Sequence, residues 1–113
     1  MINNQTYTII GKNSKLEGNF NFDGHTGVLG EISGTISIGT EYKLRIDIEA
    51  DVNATIKCHD IDVLGKFKGE IHSTGKVTLY PTAHFEGKIF SNKIQILPGA
   101  HVNMTGHTEE KQL

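Results

Sequence analysis

Apolar and polar positions follow one short pattern, small–x–apolar–x–Gly–x–apolar, along almost the whole chain. Alternation of this kind over four to eight residues is typical of a β-strand with one buried face. The copies occupy Ser14–Phe20, Gly30–Ile36, Ala50–Ile56, Gly65–Ile71, Ala83–Ile89 and, imperfectly, Ala100–Met104. Their third positions are residues 16, 32, 52, 67, 85 and 102, so the pattern recurs at steps of 15 to 20 residues. A repeat of this length predicts a solenoid.

A second alternating element separates these copies and predicts a second strand in each repeat. Its members are Thr8-x-Ile10, Thr26-x-Val28, Leu44-x-Ile46-x-Ile48, Ile61-x-Val63, Val77-x-Leu79 and Ile94-x-Ile96. No segment has apolar residues at helical spacing, and Asp23-Gly24 is the one clear hairpin signal. We therefore predict an all-β protein, a single parallel β-helix of about six coils over residues 8–106. Residues 1–7 and 107–113 are predicted to be a flexible N-terminal tail and a polar C-terminal tail.

Stacked coils align equivalent residues of successive repeats, so three apolar columns are expected to fill the interior. The columns are Ile10, Val28, Ile48, Val63, Leu79 and Ile96; Leu16, Ile32, Val52, Phe67, Phe85 and Val102; and Phe20, Ile36, Ile56, Ile71 and Ile89. A fourth column of small residues is expected at a bend, where a missing Cβ permits tight turning. It comprises Gly18, Gly34, Ala54, Gly69 and Gly87. The corners after Val28, Ile48 and Val63 are expected to be short, and those after Leu79 and Ile96 long.

Composition and charge exclude some classes of binding partner. The formal charge of −2 and the pI near 6.3 provide no basic surface for nucleic acid. No apolar run approaches the roughly 20 residues of a membrane helix, and Met1 to Thr8 lack the pattern of a signal peptide. A single cysteine, Cys58, fits a reducing compartment. We expect a cytoplasmic protein.

The side chains that could carry chemistry fall at structural positions of the repeat. His84 and His101 occupy equivalent outward positions in adjacent coils, which favours a surface ladder, since zinc would need further ligands. Cys58, His59 and Asp60 resemble a nucleophile with its base, but adjacent strand residues point to opposite faces. Cys58 is instead expected to lie in the interior with Phe22 and Ile38. No catalytic residue, metal site or cofactor is predicted.

The two ends of the predicted solenoid have no capping segment. Monomeric solenoids usually cover their open ends with polar terminal repeats or helices. Exposed ladder edges and apolar side chains at both ends predict association end to end, with the chain itself as partner. The expected contact residues are Ile10, Leu16, Phe20 and Phe22 in the first coil and Ile94, Ile96, Val102 and Met104 in the last.

Three segments, in this order and spacing, resemble the bactofilins, a family of bacterial cytoskeletal proteins. They are Ile10-Gly11 with Leu16-Glu17-Gly18, Gly65-Lys66-Phe67-Lys68-Gly69-Glu70-Ile71, and Leu97-Pro98-Gly99-Ala100. The resemblance spans Ile9 to about Gly106. It implies a right-handed, three-sided β-helix that forms nucleotide-independent, non-polar filaments through head-to-head and tail-to-tail contacts.

The same resemblance implies a scaffold for cell shape or envelope synthesis, with cell-wall enzymes or their membrane anchors as partners. Bactofilins commonly attach to the inner face of the cytoplasmic membrane through a short hydrophobic N-terminal tail. Here Met1 and Ile2 are the only apolar residues among the first five. Any direct membrane contact through them is therefore expected to be weak.

Two other classes of function are compatible with a β-helix. A left-handed acyltransferase-like enzyme would repeat an aliphatic–Gly hexad, whereas coil length here varies between 15 and 20 residues. A monomeric binding module would place aromatic side chains on an outer face, where the candidates are Tyr42, Tyr80 and Phe90. Filaments in nucleotide-free buffer would distinguish the structural protein from both alternatives.

Overall fold

The computed structural model describes residues 7–39 and 41–104, and this part of the chain is built of β-strands without a helix. The strands are β1 Tyr7–Ile10, β2 Lys15–Phe22, β3 His25–Val28, β4 Glu31–Ile38, β5 Lys43–Ile46, β6 Asp51–Cys58, β7 Asp60–Val63, β8 Lys66–Ser73, β9 Lys76–Leu79, β10 His84–Phe90, β11 Lys93–Ile96 and β12 His101–Met104. Short and long strands alternate. The first strand starts at Tyr7, inside the segment predicted to be a flexible tail.

Each coil is one odd-numbered strand followed by one even-numbered strand. The odd strands form one six-stranded sheet in the order β1-β3-β5-β7-β9-β11, and the even strands form a second in the order β2 to β12. Every pair of neighbours is parallel, as β3 and β5 are. The predicted parallel solenoid of about six coils is confirmed.

The interior contains the predicted columns, with one correction and one addition. The added column, buried throughout, is Thr26, Leu44, Ile61 and Val77. Val52 pairs with Phe67, and Phe67 stacks on Phe85 with ring centroids 5.3 Å apart. The buried members are almost all aliphatic, and burying each such side chain contributes about 1.5–3 kcal/mol. In the described residues every buried side-chain nitrogen or oxygen has a hydrogen-bond partner.

The predicted place of Ile48 in the first column is wrong. Ile46 stands there instead, directly opposite Val28 on one side and Val63 on the other, and is fully buried. The chain turns after Ile46, because the amide of Ala50 donates to the carbonyl oxygen of Asp47 at 3.0 Å. Ile48 lies in this turn and is 56% exposed. The corner after Ile46 is therefore long, not short.

The predicted column of small residues is confirmed in register and explained by backbone geometry. Gly18, Gly34, Gly69 and Gly87 all have φ between +125° and +140°, a region that side chains other than glycine rarely enter. A Cβ on Gly87 would also fall 1.8 Å from the carbonyl oxygen of Gly69 in the coil below. The glycines thus permit both the bend and the close stacking of coils.

Candidate assembly interfaces at the two ends

The outermost strands of the two sheets lie at opposite ends of the stack. β1 pairs only with β3 and β2 only with β4, while β11 and β12 pair only with β9 and β10. Within residues 7–39 and 41–104, nothing covers the outer edge of any of these four strands. An open parallel edge presents backbone N–H and C=O groups that another strand can pair with.

Large exposed apolar side chains concentrate at these ends. In the described residues five large hydrophobic side chains are exposed, and four of them lie in the first or last coil: Tyr7, Ile9, Leu16 and Ile96. Leu16 is 37% exposed, whereas Ile32, its neighbour in the same column, is 1% exposed. The difference arises because Leu16 has a coil on one side only.

The residues predicted for the N-terminal contact differ in what they expose. Phe20 and Phe22 are half-buried and stack with ring centroids 5.9 Å apart and planes 11° from parallel, so they form one aromatic surface beside Leu16. Ile10 is only 5% exposed and offers almost no area to a partner. The aromatic pair and Leu16 therefore dominate the apolar surface of this end.

The residues predicted for the C-terminal contact all retain accessible surface. Ile96 is 48% exposed, and Ile94, Val102 and Met104 are half-buried. Val102 pairs with Phe85 and Met104 with Gly87, so both continue the interior of the coil below. The predicted membrane-contact residues, Met1 and Ile2, lie outside the described residues.

Two exposed residues of the first coil, Tyr7 and Ile9, are not among the contact residues predicted from the sequence. They are 61% and 71% exposed on the outward side of β1, and Tyr7 packs against His25 at 5.6 Å between ring centroids. The alternation Tyr7-Thr8-Ile9-Ile10 carried the signal, because apolar residues stand at both outward positions of the strand. The predicted tail, residues 1–7, includes Tyr7, so the first residue of this strand was not recognised as part of it.

The side chains that could carry chemistry are stacked, buried or hydrogen-bonded within the solenoid. His84 and His101 stack at 4.9 Å with planes 6° apart, as the surface ladder predicted. Cys58 is buried, and burial, assisted by the charge of Asp60, raises the pKa of its thiol to about 12. The His59 ring instead contacts the Thr74 hydroxyl at 3.1 Å. In the described residues no three His, Cys, Asp or Glu side chains are grouped to hold a metal ion.

In the coils after Cys58, Ser73 and Ser91 stabilise the equivalent corner, where an even strand passes to the next odd strand. Ser73 donates its hydroxyl proton to the His59 carbonyl oxygen, and its hydroxyl oxygen accepts from the Gly75 amide. Ser91 makes the equivalent bond to the Gly75 carbonyl oxygen one coil higher. The groups around Cys58 therefore serve the stacking of coils.

A family model for bactofilins, described as polymer-forming cytoskeletal proteins, matches residues 8–107. The chain belongs to the bactofilin family. Bactofilins are structural cytoskeletal proteins and not enzymes, so the acyltransferase-like alternative has no support. No curated protein and no solved structure matches the chain.

The comparison with bactofilins agrees with the architecture. The match begins at the second residue of β1 and covers the other eleven strands completely, so the solenoid corresponds to the polymer-forming domain of the family. In the part of this bactofilin that the structure describes, no helix is long and apolar enough to cross a membrane.

Proposed function

We propose that this bactofilin polymerises end to end into nucleotide-independent, non-polar filaments that scaffold cell shape or envelope synthesis. The observation that carries the proposal is the concentration of exposed apolar side chains on the two open ends of the stack. Membership of a polymer-forming family supports self-association.

Each end of the stack combines two kinds of surface that another chain could cover, which are open strand edges and accessible apolar side chains. The N-terminal end offers a four-residue and an eight-residue strand edge together with Leu16, Phe20 and Phe22. The C-terminal end offers two four-residue edges together with Ile96 and Val102. Pairing an edge satisfies its backbone groups while the same contact removes apolar area from water.

A non-polar filament requires that each end bind a second copy of itself. Each such contact is then isologous, and two isologous contacts on opposite ends generate an open chain with no overall direction. Head-to-tail stacking would instead give a polar filament. When one end is blocked, the non-polar arrangement still allows dimers through the other end, whereas the head-to-tail arrangement leaves monomers.

We place the filament in the cytoplasm, at the inner face of the cytoplasmic membrane. Its proposed partners are cell-wall enzymes or their membrane anchors, with only weak direct membrane contact through Met1 and Ile2. No partner beyond the chain itself is required for polymerisation.

The test is electron microscopy and high-speed sedimentation in nucleotide-free buffer of the wild type, Phe20→Arg, Val102→Arg and the double variant. We expect filaments from the wild type, dimers joined through the unaltered end from each single variant, and monomers from the double variant. Thr35→Arg is the control, because it adds the same charge at an exposed position in the second coil. Monomers from both single variants would indicate head-to-tail contacts. Long filaments from both would refute the assignment of the ends.

A further inference from the structure

Ile48 is the one large exposed hydrophobic side chain of the described residues that lies away from the ends. It belongs to an apolar line along one edge of the solenoid, at the corner between each odd strand and the following even strand. We call this line the corner ridge. Its members are Leu29, Ile48, Leu64, Tyr80, Pro81, Leu97 and Pro98, all half-buried or exposed.

The opposite edge of the solenoid, where each even strand passes to the next odd strand, has a different composition. Its corners contain Asp23-Gly24, Gly39 with Glu41 and Tyr42, His59, Thr74-Gly75 and Ser91-Asn92. Tyr42 is the one large apolar or aromatic residue among them, whereas such residues occur at every corner of the ridge from the second coil to the sixth. A general preference of loops for certain residues would affect both edges alike, so it would not produce this asymmetry.

The corners along the ridge have two lengths, which alternate from coil 1 to coil 5. The amides of Ser14, Ala50, Ala83 and Ala100 each donate to a carbonyl oxygen three residues earlier, which defines long corners in coils 1, 3, 5 and 6. Coils 2 and 4 have short corners, Leu29-Gly30 and Leu64-Gly65. Because the strands on both sides of every corner remain in register, the two extra residues of a long corner must project outward.

One ion pair shows that the short corners are recessed. Lys12 Nζ in coil 1 lies 3.1 Å from Glu49 Oε2 in coil 3, so the two side chains meet across the corner of coil 2. The carbonyl oxygens of the preceding long turn lie beneath the short corners, since a Cβ on Gly65 would be 2.2 Å from the Asp47 oxygen. The ridge is thus a series of projections and grooves.

We propose that the corner ridge is the lateral contact between neighbouring filaments of this chain, with the two contacting chains antiparallel, an inference that rests on the end-to-end assembly proposed above. A twofold axis between coils 3 and 4, perpendicular to the stack, places coil 3 opposite coil 4 and coil 2 opposite coil 5. Every long corner of these four coils then faces a short one. Ile48 of each copy enters the groove above Leu64 of the other.

The area of the ridge explains why the partner is a second filament. Five coils about 4.8 Å apart and about 10 Å wide give roughly 240 Å² per chain. A stable pair of proteins buries about 800 Å² on each side, so two isolated chains would not stay together through the ridge. Two filaments repeat the contact along their length, and effective concentration makes the weak contacts add.

Charge also favours a second copy over a partner of strongly acidic or basic character. The ridge is flanked by both signs, in the Lys12–Glu49 pair and in Arg45 Nε, 3.8 Å from Asp47 Oδ2. The axis sets the charged corners of coils 1 and 3 opposite the corners of coils 6 and 4, which contain no charged residue. The formal charge of −2 per chain opposes lateral approach only weakly.

The first experiment separates bundling from polymerisation by two centrifugation speeds, with filament width measured by electron microscopy. Ile48→Asp is expected to pellet at high speed like the wild type, while its low-speed pellet falls about tenfold or more, since the charge is repeated at each contact. Asn92→Asp, which adds the same charge on the polar edge, is the control and should bundle like the wild type.

The second experiment tests the twofold arrangement in a Cys58→Ala background. Filaments mixed from Ile48→Cys and Leu64→Cys chains should form a disulfide between residues 48 and 64 of different chains under mild oxidation. A mixture of Ile48→Cys with Leu97→Cys chains should give about tenfold less, because coils 3 and 6 are not opposed. Mass spectrometry of the cross-linked peptides identifies the pair.

The outcomes distinguish this proposal from the one it rests on. Absence of a high-speed wild-type pellet would overturn both. Single wild-type filaments without bundles, or unchanged bundling of Ile48→Asp, would overturn the lateral contact alone. Loss of the filaments themselves in Ile48→Asp would also contradict it, because the ridge would then take part in the longitudinal contact.

Discussion

The close stacking at the glycine column can be tested with two Gly→Ala substitutions that differ in one respect. Gly18 and Gly69 have nearly the same backbone, with φ of +140° and +137°. A Cβ on Gly69 would lie 2.0 Å from the Ala54 carbonyl oxygen, whereas a Cβ on Gly18 would meet no atom within 4 Å. Gly18→Ala therefore measures backbone strain alone, and Gly69→Ala adds the steric conflict.

The magnitudes follow from the geometry. Strain at a φ that favours glycine costs about 1–3 kcal/mol, and this is the whole expected effect of Gly18→Ala. For Gly69→Ala the coils must separate by about 1 Å to relieve the contact, which costs about 1–3 kcal/mol as overpacking. The same separation weakens ladder hydrogen bonds worth about 1 kcal/mol each. We expect Gly69→Ala to be about 2–4 kcal/mol more destabilising than Gly18→Ala.

The assay is thermal unfolding followed by circular dichroism in the Phe20→Arg/Val102→Arg background, which limits the dependence of Tm on assembly. At roughly 4–8 °C per kcal/mol for a domain of this size, Tm of Gly69→Ala should lie at least about 8 °C below that of Gly18→Ala. Ala54 shows that the column accepts a methyl group where φ is not positive. Equal Tm values for the two variants would refute the close approach as the reason for these glycines.

Three further predictions concern the interior. Phe67→Ala should cost about 3–5 kcal/mol because it removes a buried ring stacked on Phe85, whereas Leu16→Ala, in the same column but 37% exposed, should cost clearly less; equal losses in denaturant unfolding would contradict the end-coil geometry. The Cys58 thiol, with its pKa raised to about 12 by burial, should resist iodoacetamide at pH 8 until guanidinium unfolds the protein, and rapid labelling of the folded chain would show that it is accessible. Because an unfolded thiol ionises near pH 8.5 while the folded one stays protonated to about pH 12, stability should fall as pH rises between these values, and Cys58→Ala should reduce that fall.

The repeat itself determined most of the fold. Period-2 alternation fixes which side chains face inward, and parallel stacking at a near-constant step leaves only one way to align Leu16, Ile32 and Val52. The small residue in the middle of each copy marked the bend, because in four of the copies the bend has a φ that side chains other than glycine rarely adopt. These features depend on local chemistry, which the sequence displays directly.

The tertiary structure decided where strands stop and which apolar residues remain exposed. In Leu44-x-Ile46-x-Ile48 alternation continues through a turn, and only pairing of Ile46 with Val28 and Val63 shows that the strand has ended. Likewise, Leu16 and Ile32 occupy equivalent positions of the repeat, yet Leu16 is exposed and Ile32 is buried. Alternation reports only the side of the strand on which a residue lies. The number of coils packed against that side is a property of the complete stack, and it is this number that leaves the two ends open for assembly.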